Sequence, residues 1–470
     1  MNGQRTRRLG FLATASVAAA LLIAAPAEAA KPSSGGSWGT GTAVSPVEQP
    51  DPTRGSQLND VAVNASGLAL AAWDRFSYNN GGGATIGAAV ETAGRWSAPV
   101  TFGTTGYSMS PRVAVSPKGD LAVSWTYQDS ATQPSPYEKK QVAVRRAGST
   151  TWETTTLASQ PVGGTQGLAI IVPVAFDAAG NLTAAWSIWN GKTHDVQVAT
   201  LPKGGAWSTA TTLEPSFDGI SPALVVNSAG AAAVAYATSP YTSTGSTAIR
   251  YAYRSTPLSG WATPVTVSET VPWSVGYASS PSVGLDVAGI ATVAWFGSGV
   301  EASRQRADGT WTGPTTVVGL MAAGSSYSAP DLAVDDAGNA VLALWIFDAT
   351  INVDRSSAWV SRGTAAGTWG TPQRLTDPAV PVDAYAAQAA ISPDGKLAVV
   401  GWVDHYHGTV QAARLDTATG KWVTSTVGKG TAFSSFQEVI AINVASSSVA
   451  RIAWKYARGG TQTMVADYRP

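Results

Sequence analysis

The chain has 470 residues, no cysteine, 18 tryptophans and 30 basic against 30 acidic residues, with only 13% charged. Lack of cysteine excludes disulfides, thiolate metal sites and a cysteine nucleophile, so the fold must rest on packing. Balanced, sparse charge with no basic stripe argues against a nucleic-acid partner.

Arg5, Arg7 and Arg8 precede an apolar run from Leu9 to Ala25, and Ala27-Glu28-Ala29 is a small-x-small cleavage site. Residues 1–29 therefore read as an export signal cleaved near Ala29, leaving a secreted chain of 30–470. No later stretch reaches the ~18 apolar residues of a membrane span, so a water-soluble monomer is expected.

From there one phrase recurs eight times: an apolar run, a polar turn usually with Gly, a second apolar run and an aromatic. The copies start near residues 58, 110, 172, 221, 280, 329, 387 and 437, and end at Trp73, Trp125, Trp186, Tyr236, Trp295, Trp345, Trp402 and Trp454. Both runs alternate with period two, which predicts a hairpin, with the turn's polar side chain bonding backbone two residues on. A second phrase, Gly then Trp then a Thr/Val-rich strand, follows each of the first seven, at Trp96, Trp152, Trp207, Trp261, Trp311, Trp369 and Trp422. Two hairpins in 50 to 60 residues is the size of a propeller blade. After Trp454 only one strand remains, while Gly36 to Val44 has the Gly-x-Trp form of a fourth strand. The expectation is an all-β, eight-bladed propeller of four-stranded antiparallel blades forming one domain over 30–470. Residues 36–44 close the last blade, which removes an exposed sheet edge. Alternate first-strand positions hold small residues (Ala62, Ala114, Ala175, Val225, Gly284, Ala333, Ala390 and Ala441), against which the repeat aromatics pack as core.

The Gly–Trp hairpins and apolar first strands resemble the secreted bacterial propellers of the sialidase and Asp-box (BNR-like) group across the mature chain. Asp308-Gly309-Thr310-Trp311 is the nearest copy of the Asp-box turn, at shorter spacing. The resemblance implies fold and export. It does not imply sialidase chemistry, since only Arg112 among the first strands could serve a carboxylate-binding arginine triad and no Phe-Arg-Ile-Pro phrase is present.

Chemistry in a propeller is carried by the loops of one face. The loops entering the first strands carry Tyr107, Phe217, Tyr277, Tyr327, Tyr385 and Phe433, with Trp273 and Trp189 outside the repeat register. Such aromatics either offer flat faces to sugar rings or plug gaps between blades. Trp273, Tyr277, Trp189, Tyr385, Tyr327 and Tyr107 are the ligand-binding candidates. The densest polar cluster is Asp404-His405-Tyr406-His407, with Asp383 expected beside it. His-x-His with a carboxylate can hold a metal or perform acid–base chemistry, so Asp383, Asp404, His405 and His407 are the catalytic candidates, and no metal site is assigned. Further carboxylates on this face are Asp74, Asp195, Asp218, Asp348, Asp354 and Glu438. No nucleotide, phosphate-loop or cofactor fingerprint is present. The leading expectation is an extracellular binding protein for carbohydrate or a cell-surface polymer. The alternatives are a glycoside hydrolase or lyase, where polar groups would converge in one place, and a protein-interaction scaffold.

Overall fold

In the computed structural model, the hairpins predicted from the alternation stand as eight blades around one axis, blades 1 and 2 joined into one sheet by a parallel pairing of Ala84 with Tyr107. It describes residues 36–470 apart from 47–58, 78–82, 104–105, 129–136, 162–170, 215–218, 239–245, 273–278, 320–324, 349–355, 430–439 and 458–460. The export signal, Phe217, Asp218, Trp273, Tyr277, Asp354, Phe433 and Glu438 lie outside the described residues. No described residue is α-helical. The innermost strands of blades 1 to 8 are Asn59–Val63, Tyr107–Val115, Val174–Phe176, Gly219–Val226, Ser279–Leu285, Asp331–Val334, Ala384–Ile391 and Ile440–Ser446. Each blade adds its later strands outward in chain order, pairing antiparallel. Each innermost strand packs beside the next, and Ile440–Ser446 packs beside Asn59–Val63, which closes the ring.

Turn chemistry sets the register. Asn64, Asp177, Asn227, Asp286 and Asp335 each accept, at Oδ1, a hydrogen bond from the N–H four residues on, at 2.7–3.1 Å. The bond therefore spans the whole turn and reaches the start of the second strand. The expected two-residue reach is present as well, from Ser66 N–H to Asn64 in blade 1, from Lys396 N–H to Asp394 in blade 7 and from Ser448 N–H to Ser446 in blade 8. The glycine three residues after each polar residue is left-handed, from Gly67 at φ 84° to Gly338 at φ 87°, where a side chain would be strained. Gly284 shows what the small column is for. A Cβ there would fall 2.2 Å from Val334 Cγ2 on the next innermost strand, so adjacent strands approach this closely only over a bare backbone.

The N-terminal segment closes blade 8 as the strand count requires. Ser37–Trp38 and Thr42–Ala43 both pair antiparallel with the last strand, Thr461–Arg469. Gly39 N–H and Val44 N–H bond the carbonyls of Asp467 and Thr463 at 2.8 and 2.9 Å, and Trp38 packs edge-on against Tyr468 at 5.6 Å. A buried ion pair crosses the same junction, Arg451 Nε of blade 8 to Glu91 Oε2 of blade 1 at 2.8 Å. Deleting residues 31–44 is expected to lower the melting temperature sharply and to expose an aggregating edge. Glu91→Ala, which strands the buried guanidinium, should cost about 3–5 kcal/mol in denaturant titration. An unchanged melting temperature on deletion would show that the closure is dispensable.

Candidate functional site

The site begins with one tryptophan out of step. In blades 1 to 5 the repeat aromatic stands six residues after the turn glycine: Trp73 after Gly67, Trp125 after Gly119, Trp186 after Gly180, Tyr236 after Gly230 and Trp295 after Gly289. These five are at most 1% exposed and pack towards the preceding blade. In blade 6 that place, six residues after Gly338, belongs to Leu344, which is fully buried. Trp345 comes one residue later and so projects from the other side of its strand. The expectation that Trp345 is a repeat core residue is corrected: it is half-buried and packs towards blade 7.

There Trp345 meets Tyr385 at the start of blade 7's innermost strand, ring centroids 5.1 Å apart. Tyr385 in turn lies against His405 at 4.6 Å with planes 32° apart. The three half-buried rings form an aromatic shelf along the seam between blades 6 and 7. Asp383 stands at its end, its carbonyl accepting from His405 N–H at 2.9 Å. Its carboxyl is raised above the ordinary range by burial. The backbone and hydroxyl of Ser356, the charge of His405 and the Tyr385 hydroxyl all pull the other way. Asp383 Oδ1 is nonetheless enclosed with no hydrogen-bond partner among the described residues. A half-buried carboxyl with one enclosed oxygen unpaired, beside an imidazole and a phenol, is the environment in which an acid keeps its proton for use.

The cluster expected around Asp404 divides. Ala384 pairs with Asp404, so Asp383 and His405 share one face of the pleat and Asp404 the other. Asp404 closes the tight turn to Thr409, with His407 Nδ1 2.6 Å from Oδ2 and His407 N–H 3.3 Å from Oδ1. His405 and His407 therefore serve different neighbours, and no group of three His, Asp or Glu converges among the described residues. Tyr327 reaches across the seam between blades 5 and 6, 6.0 Å from Phe296, with its hydroxyl on the Gly319 carbonyl at 3.1 Å. Trp189 lies over His194 of its own hairpin at 5.1 Å. Tyr107 is half-buried at the start of blade 2 and brings no other candidate to it. Asp195 bonds Asn190 at 2.8 Å, and Asp348 is half-buried beyond Phe347.

A second polar group lines the ring inside this rim, and the loop-centred sequence reading missed part of it. Asp60, Arg112, Ser282, Asp331 and Gln388 each stand two residues before the small column, at one level of five innermost strands. Asp60, Ser282 and Asp331 accept from the backbone N–H of Val113, Leu332 and Ala389 on the following blade, at 2.9, 3.1 and 2.7 Å. Asp74, one residue past its repeat tryptophan, likewise accepts from Ser110 N–H at 3.1 Å. Burial raises the carboxyls of all three aspartates, Asp74 to about 8 and Asp331 to about 6, against the opposing charge of Arg112. These contacts account for the carboxylates as staples between blades. The legible signal was the shared offset from the small column.

No protein-family model and no curated protein sequence matches this chain. Among solved structures it is similar to an α-L-arabinanase of Penicillium chrysogenum complexed with arabinobiose (TM-score 0.43, 10% identity, 92% of this chain and 98% of that one). It is also similar to a GH93 α-L-arabinofuranosidase of Fusarium graminearum complexed with arabinobiose (TM-score 0.48, 10% identity, 92% and 98%). A third is the polysaccharide lyase Uly1 (TM-score 0.43, 11% identity, 92% and 91%). At this similarity no site residue and no substrate transfers to the chain, and the sialidase and Asp-box likeness rests on repeat style alone.

Asp74 gives the ring a pH dependence whose sign follows from linkage. The folded state holds this proton to about pH 8, whereas the unfolded chain releases it near 3.8. Its contribution is therefore complete below about pH 4 and lost as pH rises towards 8. The melting temperature of wild type is expected to fall between pH 5 and 8 more steeply than that of Asp74→Asn. Parallel profiles from scanning fluorimetry would remove Asp74 as the cause.

Proposed function

We propose that this protein is a secreted carbohydrate-active enzyme that cleaves a glycosidic linkage on the shelf between blades 6 and 7. The observation that carries the reading is the convergence of Asp383, Tyr385 and His405 with Trp345 at one seam. A lectin-like propeller would repeat a shallow site between blades, yet the five in-register aromatics of blades 1 to 5 are buried. The rings of Trp345 and Tyr385 offer apolar faces on which a sugar ring can stack, with polar groups at one end to orient it. Asp383, holding its proton above the usual carboxyl range, donates to the glycosidic oxygen as the bond breaks. His405, on the same face of the pleat, takes up the proton released by the attacking water in hydrolysis or by a sugar carbon in elimination.

Binding without turnover is the second reading. It is favoured by one observation, that no other carboxylate is among the groups acting on Asp383. Asp331 is not its partner, because Ala389, which it bonds, lies six residues along the strand from Asp383. At about 3.3 Å per residue that is roughly 20 Å before the bulge shortens it. A glycosidase pair needs about 5 to 9.5 Å.

The test is a panel of plant, algal and bacterial polysaccharides incubated with the mature protein, followed by reducing-end and unsaturated-product assays. Asp383→Asn is expected to lower turnover about 10²–10⁴-fold while glycan affinity persists, and Trp345→Ala to weaken affinity. Wild-type activity should decline as pH rises through the raised Asp383 pKa. Tight glycan binding with no product from any polymer would establish the second reading instead.

A further inference from the structure

The face opposite the shelf, carrying the first-to-second and third-to-fourth turns, holds a cavity of about 360 Å³ between blades 1 and 2. Three cations line it: Lys118 from the first turn of blade 2, and Arg145 and Arg146 from the end of its third strand. Ser66, Thr92 and Ser149 add hydroxyls, and no acidic residue is in the lining. No described ion pair holds any of the three cations. Lys118 is exposed, Arg145 lies over the Trp152 ring at 5.5 Å, and Arg146 Nη1 is enclosed with no hydrogen-bond partner. Burial lowers the Arg145 pKa, with no carboxylate to offset it. The Asp120 carboxylate is buried behind the wall and accepts from Ala147 N–H at 3.0 Å and from the Ser116 hydroxyl at 3.2 Å. Glu91, beside Thr92, is taken by Arg451.

We propose that this cavity is a binding site for a tetrahedral oxoanion, a sulfate or phosphate group, free or carried as an ester on a sugar. Two neighbouring guanidinium groups and an ammonium around a polar cavity bring more positive charge together than one carboxylate would neutralise. A tetrahedral oxoanion has acceptors enough for the forked guanidinium donors and the hydroxyls together. The enclosed Arg146 Nη1 is a charged donor with no hydrogen-bond partner among the described residues, and an entering acceptor would supply one. The cavity falls within the ordinary size range of small-ligand sites. The assignment is independent of the chemistry on the shelf, which lies at the other end of the blades.

Thermal shift and calorimetry on the mature chain decide it, with inorganic sulfate, inorganic phosphate, glucose 6-sulfate and glucose, each against chloride at matched ionic strength. Sulfate or phosphate is expected to raise the melting temperature by a few degrees, and glucose to leave it unchanged. Lys118→Gln and Arg146→Gln should each weaken binding about tenfold. Lys118 is exposed, so its variant keeps the unliganded melting temperature and the test survives should Arg146→Gln unfold. Tighter binding of glucose 6-sulfate than of inorganic sulfate identifies a sugar ester as the ligand, and the reverse a free anion. No shift beyond chloride, or equal shifts in wild type and Lys118→Gln, overturns the site.

Discussion

The pleat of the second strand in each blade is the constraint on which the rest of this ring depends. Neighbouring residues on a strand face opposite ways, and in a propeller those ways lead to the preceding and the following blade. Six residues past the turn glycine in blades 1 to 5, and seven past it in blade 7, whose turn is one residue longer, a large aromatic fills the gap behind. The next residue along faces the other way and its side chain meets the innermost strand ahead, whether as Asp74 on Ser110, Phe296 against Tyr327 or Trp345 against Tyr385. Core and rim are thus one residue apart in the sequence, and a shift of one position exchanges them.

That economy explains which features were legible. The blade count and the N-terminal closure followed from recurring phrases, because each blade solves the same packing problem with the same residues. The shelf was not read, although its signal was present: Trp345 stands six residues after Asn339, which closes its turn, where the repeat aromatics of blades 1 to 5 and 7 stand five after theirs. Matching the phrase without counting its register placed it among the core tryptophans. The division of Asp404 from His405 has the same origin. Both belong to one compact cluster in the sequence, yet Asp404 is the last strand residue and its neighbour necessarily faces the other side. Tyr385 was found because it carries both roles, plugging the seam and extending the shelf. The staples at Asp60 and Asp331 were missed for a different reason, since only distances separate an acid that bonds the next strand from one that awaits a ligand.

The innermost strands add strain at this rim. Ser110, Ser280 and Ala386 hold positive φ angles of 60°, 51° and 54°, unusual for residues with a side chain. The pairing of each strand shifts at that point: between Met109 and Arg112, between Ser279 and Ser282, and between Tyr385 and Gln388. These are bulges, which bend a strand and re-aim the residues on either side. One flank delivers Arg112, Ser282 and Gln388 to the shared level of the ring. In blade 7 the other flank sets Tyr385 beside Trp345.

Because the bulge recurs in blades with no shelf, its strain belongs to the ring. What distinguishes blade 7 is its occupant. At the position before the left-handed residue of the bulge, blade 2 carries Met109 and blade 5 Ser279, whereas blade 7 places the half-buried ring of Tyr385 there. A structural irregularity common to the repeat thus becomes a site by substitution of side chains. No new backbone is needed, and the rigidity that holds Asp383 and His405 in place is that of two packed blades rather than of a loop.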